Sequence, residues 1–456
     1  MKSTYSYSAE IPVRQSCDVL VVGGGPAGVM AAVSAARAGS SVMLAERFGA
    51  PGGMMTVGNV DPLLGSTSRG TMADEFTARM RRYDGGPAPH RTHNGLEQPV
   101  DRGVAVRVLT EMLSESGVKL LLSASFADVM KEDGRVAGCI FTSQKGLFGV
   151  RAAVTVDCTG DGAVAAAAGA GYGFGVEDVD PGADPLPGEG TTGSLQPMTV
   201  EFTVENVDES SAITAWGGSD PVRIPSGEFA GMEYREFCKM KNREGELPEN
   251  VSIVRLHRTA HPGERSVNAT QANGFDPLDP ASLGSSYTEL VRQVGVCVDF
   301  LRRYIPGFED CRVKSIAEAV GIRESRRIAG ISAVTDADVE TGGKHGDAVV
   351  RDAWFLIDIH NPKGAGQAEG HAHDALPYDI PYGALVPAGT DGLLLAGRCI
   401  SGSHRAHASY RVMNVCMAIG EAAGAAASLA ASAGIRPADV RPEDVRAVLE
   451  SRGVEL

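Results

Sequence analysis

The sequence predicts an α/β chain in which a parallel sheet carrying a β-meander is interrupted by a second, α+β unit. Three observations predict it. Asp18–Arg47 runs DVLVVGGGPAGVMAAVSAARAGSSVMLAER: a β-branched stretch, closely spaced glycines, an alanine-rich stretch and a second apolar run. Residues 127–156 read as strand, turn, strand, turn, strand, with Glu132-Asp133-Gly134 and Gln144-Lys145-Gly146 as the turns. After a span of different texture, residues 376–456 return to buried-strand and alanine-rich helical patterns.

Within the first stretch, Asp18 to Val22 has the pattern of a buried parallel strand. Gly23, Gly25 and Gly28 follow as G-x-G-x-x-G. Gly25 lets the backbone approach a pyrophosphate, and Gly28 lets the next helix lie tight against the strand. That helix, expected from Pro26 and Ala27 to Ala38, aims its N-terminal N–H groups at the phosphates. Ala31, Ala32, Ala35 and Ala36 form a small packing face, and Gly39 is placed as a C-cap. A second strand, Ser41 to Ala45, delivers Glu46 to a ribose diol, with Arg47 beside it. Strand, glycines, helix, strand and acid stand in the order of a Rossmann-like dinucleotide-binding unit.

At 456 residues the chain exceeds what one core usually supports, so two domains are expected. With 43% apolar and 22% charged residues it reads as globular. A net charge of −15 argues against a nucleic-acid or anionic-membrane partner. The polar start MKSTYSYSAEIPVRQSC lacks an apolar signal segment, and no apolar run reads as long enough to cross a bilayer, so a cytoplasmic location is expected. The eight cysteines are scattered without C-x-x-C, which argues against zinc, iron–sulfur and dithiol chemistry. No metal is expected.

Along the chain, the glycine-rich loop after Arg47 places Gly53, Met54 and Met55 beside the reactive end of an extended cofactor. Helices are expected over Met72 to Tyr83 and Val104 to Ser116, then a strand from Val118 to Ser123; His90 and His93 fall in a loop read as solvated. Phe126 opens the meander. Its last strand ends at Thr159, Gly160, Asp161 and Gly162 and leads into a helix, Ala163 to Ala168, a second strand–turn–helix edge for a long dinucleotide. The expected division is 1–195 and 376–456 for the cofactor domain and 196–375 for a substrate domain, with a strand at Met198 to Val204 and a helix from Ser286 to Tyr304. Strands at Tyr382 to Pro387 and Gly392 to Ala396 lead to Gly397 and Arg398. A last helix, from Tyr410 to Ala433, carries Gly420 and Gly424 for close packing and ends at Gly434.

With these segments in place, the chain resembles the FAD-dependent oxidoreductases of the glutathione-reductase-like superfamily, and among them the relatives of fumarate-reductase flavoproteins. The matching stretches are VVGGGPAG, GAPGGMM, VDCTGDGAVAAAAG, GIRESRRIAG and IPYGALVP…LLLAGRCISGSHRAHASYRVM…GEAAGAAA. The resemblance implies FAD, with Gly23, Gly25 and Gly28 at the pyrophosphate and Glu46 at the adenosine ribose. It implies Gly53 and Met54 along the flavin, and Thr159, Gly160 and Asp161 near the adenosine half. Gly397 and Arg398 would reach the ribityl region, and the helix opening at Tyr410, Arg411 and Val412 the flavin N1/O2 edge. Relatives with covalent FAD carry a histidine before the G-G loop, where this chain has Phe48-Gly49-Ala50-Pro51, so noncovalent FAD is expected.

For substrate chemistry, Gly321–Arg327 concentrates three arginines. Arg323 can clamp a carboxylate, or the cluster can form an ion-pair network with Glu324; the sequence does not choose. His404, just before the last helix, is the expected proton-transfer residue. His371 with His373, and His257 with His261, carry weaker signals and read as solvated. The expectation is hydride transfer between flavin N5 and a small, anionic organic substrate. The alternatives are reduction of activated C=C bonds and electron transfer to a protein partner. The oligomeric state stays open, a homo-oligomer included.

Overall fold

A computed structural model of the chain describes residues 4–5, 8–92, 95–175, 195–212, 223–224, 226–366, 368 and 374–456. His93, Trp216, His371 and His373 lie outside the described residues.

The first strand spans Val13–Val22, and Val19 to Val22 are its buried end. Parallel neighbours flank it, Val42–Ala45 on one side and Gly146–Asp157 on the other. Lys119–Leu121 extends the sheet beyond Val42–Ala45. Gly146–Asp157 is the strand on which the seven-stranded sheet changes character. Its first half pairs antiparallel with Arg135–Ser143, and its last three residues pair parallel with Leu393–Leu395. Ser125–Glu132 completes the meander. At its first turn Asp133 and Gly134 both have positive φ, 49° and 81°, as a type I′ hairpin requires.

Two helices lie against each other over this sheet, Pro26–Arg37 and Met413–Ala433. Their approach is set by missing side chains: a Cβ on Gly420 would stand 2.0 Å from the Ala27 carbonyl oxygen, and one on Gly424 2.1 Å from that of Ala31. Met413–Ala433 also corrects the membrane reading. It is 21 residues long, and long and apolar enough to cross a bilayer. It is apolar all round because it is buried in the core.

A second hydrophobic core lies between Met198 and Ala317. It sits under a four-stranded antiparallel sheet ordered Arg255–Arg258, Arg265–Asn268, Phe202–Glu205, Arg312–Ile316. Tyr234–Arg243 and Pro280–Tyr304 cover it. Phe237, Phe300 and Tyr304 meet there at ring-centroid distances of 5.5–5.9 Å. The longer helix starts at Pro280 rather than Ser286 because Asp279 caps it, accepting from the Ser282 amide.

The expected boundary at 375 moves. Ile328, Val334, Val350, Ile357 and Ala375 belong to the first core, since Ala348–Ala353 pairs with Tyr378–Pro381 and packs on Met413–Ala433. The loop expected around His90 holds a short hairpin, His90–Thr92 with Gly95–Glu97. His90 is not solvated there: its Nε2 is buried, 3.9 Å from Glu97. The last helix is also broken. His404–Tyr410, capped by Ser403, ends at Arg411; Val412 is extended and Met413 starts the long helix.

Candidate active site

A cleft of about 540 Å³ opens at the carboxyl ends of the parallel strands and runs to the four-stranded sheet. The glycine loop forms one end. A Cβ on Gly25 would meet nothing within 4 Å, so this backbone is bare toward the cleft. Gly28 is enclosed: its Cβ would lie 1.8 Å from the Gly23 carbonyl oxygen, the close helix–turn contact the sequence implied. Gly53, at φ 52°, would press a Cβ to 2.9 Å from the Gly25 Cα. Glu46 does more than face the cleft. Its carboxylate accepts from the Gly24 amide at 2.6 Å and the Phe48 amide at 2.7 Å, and so clamps the glycine loop to the end of the second strand.

The second strand–turn–helix edge is held from beneath by Asp157, which accepts from the Thr159 amide, the Thr159 hydroxyl and the Ala165 amide. Asp161 accepts from Arg398 at 2.5 Å and from Ser325 at 2.7 Å. Burial alone would raise its carboxyl, but the Arg398 charge and these hydrogen bonds hold it below the usual range. Gly23, Gly25, Pro26, Ala27, Glu46, Arg47, Gly53, Met54, Phe126, Thr159, Gly160, Asp161, Gly397, Arg398, Arg411 and Val412 all line this cleft. Met55 is not among the lining residues and is buried in the core, and Gly28 acts from behind the loop.

The far end is built by strand alternation. In the four-stranded sheet Phe202, Val204, Leu256 and Val267 enter the second core, while Glu201, His257 and Asn268, on the other face, reach the cleft. Asn59, with φ 53°, docks the loop after Gly53 onto that polar face: its amide donates to Thr203 Oγ1 and its carbonyl accepts from Ser315. Opposite stand Arg323, Asp358, His360 and Arg411. Arg411 donates to the Asp358 carbonyl and carboxylate at 2.9 and 3.2 Å, and no acceptor among the described residues meets its buried Nε. Arg323 donates to the Pro197 carbonyl at 2.7 Å. Burial pushes the Arg323 guanidinium down to about 10, still charged at neutral pH. Burial opposes ionisation of Asp358, yet His360 and the two guanidiniums hold it well below the usual carboxylate range. Burial, with the Arg323 charge, pushes His360 down to about 4, so it is neutral beside Asp358.

The ion-pair reading of the arginine cluster holds for part of it. Arg323 faces the cleft, whereas Arg327 joins a buried pair with Glu324 at 2.7 Å. His404 belongs to that pair. Its Nδ1 lies 2.7 Å from Glu324 Oε1, and it does not line the cleft, because it opens the short helix before the break. The sequence does not single out Glu201, Asn268, Asp358 or His360, and His257, expected to be solvated, is buried. Alternation in EFTV, RLHR and RSVN was the available signal.

Fold and cleft together define a dinucleotide-binding protein built of a Rossmann-like unit and an antiparallel-sheet unit. The chain belongs to the FAD-dependent oxidoreductase family, whose model, described as FAD dependent oxidoreductase, matches residues 18–449. A thiamine thiazole synthase of Aeropyrum pernix is 31% identical over 160 residues, 32% of this chain and 56% of that protein. A digeranylgeranylglycerophospholipid reductase of Methanothermobacter thermautotrophicus is 29% identical over 152 residues, 31% of this chain and 39% of that protein. The chain thus spans about half the length of the curated relatives it matches, or less. A geranylgeranyl bacteriochlorophyll reductase-like structure from Thermoplasma acidophilum aligns over 96% of this chain and 83% of that one, at 14% identity and TM-score 0.49. The cofactor is FAD, and the residues fit it: a bare glycine backbone at a helix N-terminus for phosphates, and a buried acid on the loop for ribose.

Proposed function

We propose that this flavoenzyme works on a small organic anion held between Arg323 and Arg411, with FAD supplying, when bound, the N5 centre that accepts or returns a hydride. The observation that carries the reading is the meeting, in one cleft, of the dinucleotide loop and two guanidiniums, buried Arg323 and partly buried Arg411. Two guanidinium charges face the Asp358 carboxylate, His360 is neutral, and Glu201, at about 7, is only partly ionised at neutral pH, so the corner keeps a net positive charge for an anion. Arg323 is aimed by the Pro197 carbonyl and Arg411 by Asp358, which orients the anion rather than merely attracting it. Val60, Pro62, Leu64, Val320 and Ile322 supply apolar wall that keeps water from the reacting carbon.

Anaerobic mixing with a panel of small carboxylates and their uncharged amides tests this, with bleaching of the flavin absorbance as the readout. Carboxylates are expected to bleach the flavin, and Arg323→Lys to weaken their binding about ten- to a hundredfold while FAD stays bound. Bleaching by the amides as readily as by the acids would sink the anion reading.

A further inference from the structure

The polar face of the second sheet carries a carboxyl group with an unused oxygen. Glu201 is 4% exposed and lines the cleft, and no donor among the described residues reaches its Oε2. Native structures seldom leave a buried polar oxygen in that condition without a role. Its backbone is well fixed: the carbonyl accepts from the Ala317 amide at 2.9 Å, and Phe202 beside it is buried in the second core. We propose that Glu201 is the residue that takes up and returns the substrate's proton, with His257 on the same sheet face tuning its charge. The inference rests on reading the cleft as a hydride-transfer site.

The chemistry balances. Oxidation of a carbon bearing a hydroxyl or amine sends one hydrogen with both bonding electrons to the cofactor. The heteroatom's proton passes to Glu201 Oε2 as the C=O or C=N bond forms. The reverse reaction returns both. The cleft histidines are less suited. His360 is pinned at 3.4 Å by Asp358 and stays neutral down to about 4. His257 Nδ1 is 3.4 Å from Glu97, which turns that nitrogen away from Glu201's task.

The groups around Glu201 set its protonation. Burial raises its carboxyl, and the His257 and Arg323 charges pull it back, leaving it at about 7. Asp61, which accepts from the Val100 amide at 3.0 Å, is pushed up to about 8 by burial and feels His257, Glu201 and Asp101. Glu97 faces His257 from the hairpin. An acid near neutrality can both give and take a proton, as catalysis in both directions requires.

The test uses the FAD-loaded protein with ¹³C-labelled glutamate carboxyls. The Glu201 resonance is identified by its loss in Glu201→Gln; if that variant does not fold, Glu201→Asp gives the same assignment. A titration midpoint near 7 is expected, moved upward by His257→Asn and upward again by saturating acetate. Acetate binding is read separately, from the flavin absorbance. A midpoint in the ordinary glutamate range, or one unmoved by acetate that the flavin reports as bound, overturns the assignment. Acetate that leaves the flavin spectrum unchanged sinks the anion reading of Arg323 and Arg411 instead. Glu201 is then judged by its midpoint and its response to His257→Asn, either of which can overturn it.

Discussion

Gly420→Ala tests the contact on which the cofactor loop rests. Gly420 lies in Met413–Ala433, and a Cβ there would stand 2.0 Å from the Ala27 carbonyl oxygen, with Ala27 in the first turn after the glycine loop. Real Cβ atoms essentially never come within 3.0 Å of a neighbour, so the two helices must part by about 1 Å. Overpacking of this kind costs about 1–3 kcal/mol. Alanine in place of glycine inside a helix returns about 1 kcal/mol. A net loss of up to about 2 kcal/mol is therefore expected, together with weaker FAD binding, because the displaced helix opens at the phosphates. Gly295→Ala is the control. It sits in the exposed face of Pro280–Tyr304 with nothing within 4 Å of its Cβ, so the same change should stabilise by up to about 1 kcal/mol. Thermal unfolding followed by circular dichroism, with FAD release followed by fluorescence, reads both. A Gly420→Ala protein that melts no lower than wild type and holds FAD as tightly would refute the close approach.

Glu46→Ala should lower FAD affinity about ten- to a hundredfold, a loss of about 1.5–3 kcal/mol, because it removes the acceptor for the Gly24 amide and the carboxyl expected at the ribose; the dissociation rate of FAD checks it. Acid precipitation should leave all the yellow colour in the supernatant, since Phe48 to Pro51 offer no histidine to tether the flavin, and colour in the pellet would contradict noncovalent binding. Burial raises Asp61 to about 8 and Glu201 and Glu421 to about 7. Between the unfolded glutamate value, near 4.5, and about 7 the folded chain therefore keeps protons that the unfolded chain has released, so these groups make stability fall as pH rises through that window. Glu421→Gln, which can still accept from the Met72 amide, should flatten that fall in a series of denaturant melts from pH 5 to about 8; an unchanged slope would count against a protonated Glu421.

How much of this could be read without coordinates depends on how local the cause is. The cofactor loop was legible because its requirements are local: Gly25 must be bare, Gly28 must lie against Gly23, and Glu46 must follow the second strand, all within 30 residues of Asp18. The spacing of Gly420 and Gly424 also told its purpose, though not its partner helix. Met413–Ala433 passed unnoticed as a run of bilayer length because one sequence pattern serves both a membrane span and a core helix; only its neighbours decide between them.

The far end of the cleft was decided by tertiary structure alone. His257 and Asn268 come from two strands of the second sheet and Glu201 from the residue just before a third, while Arg323, Asp358, His360 and Arg411 come from segments that converge on it. Alternation shows that such residues share a face, but not which element that face meets. His404 looked placed for chemistry because it precedes a helix in the chain. The break at Arg411 and Val412 and the pull of Glu324 turned it away from the cleft. The sequence by itself determined a dinucleotide-binding turn, because that turn is made by neighbours in the chain. Only the folded structure decided which charges share the cleft, because those groups meet through strand pairing and the packing of distant segments.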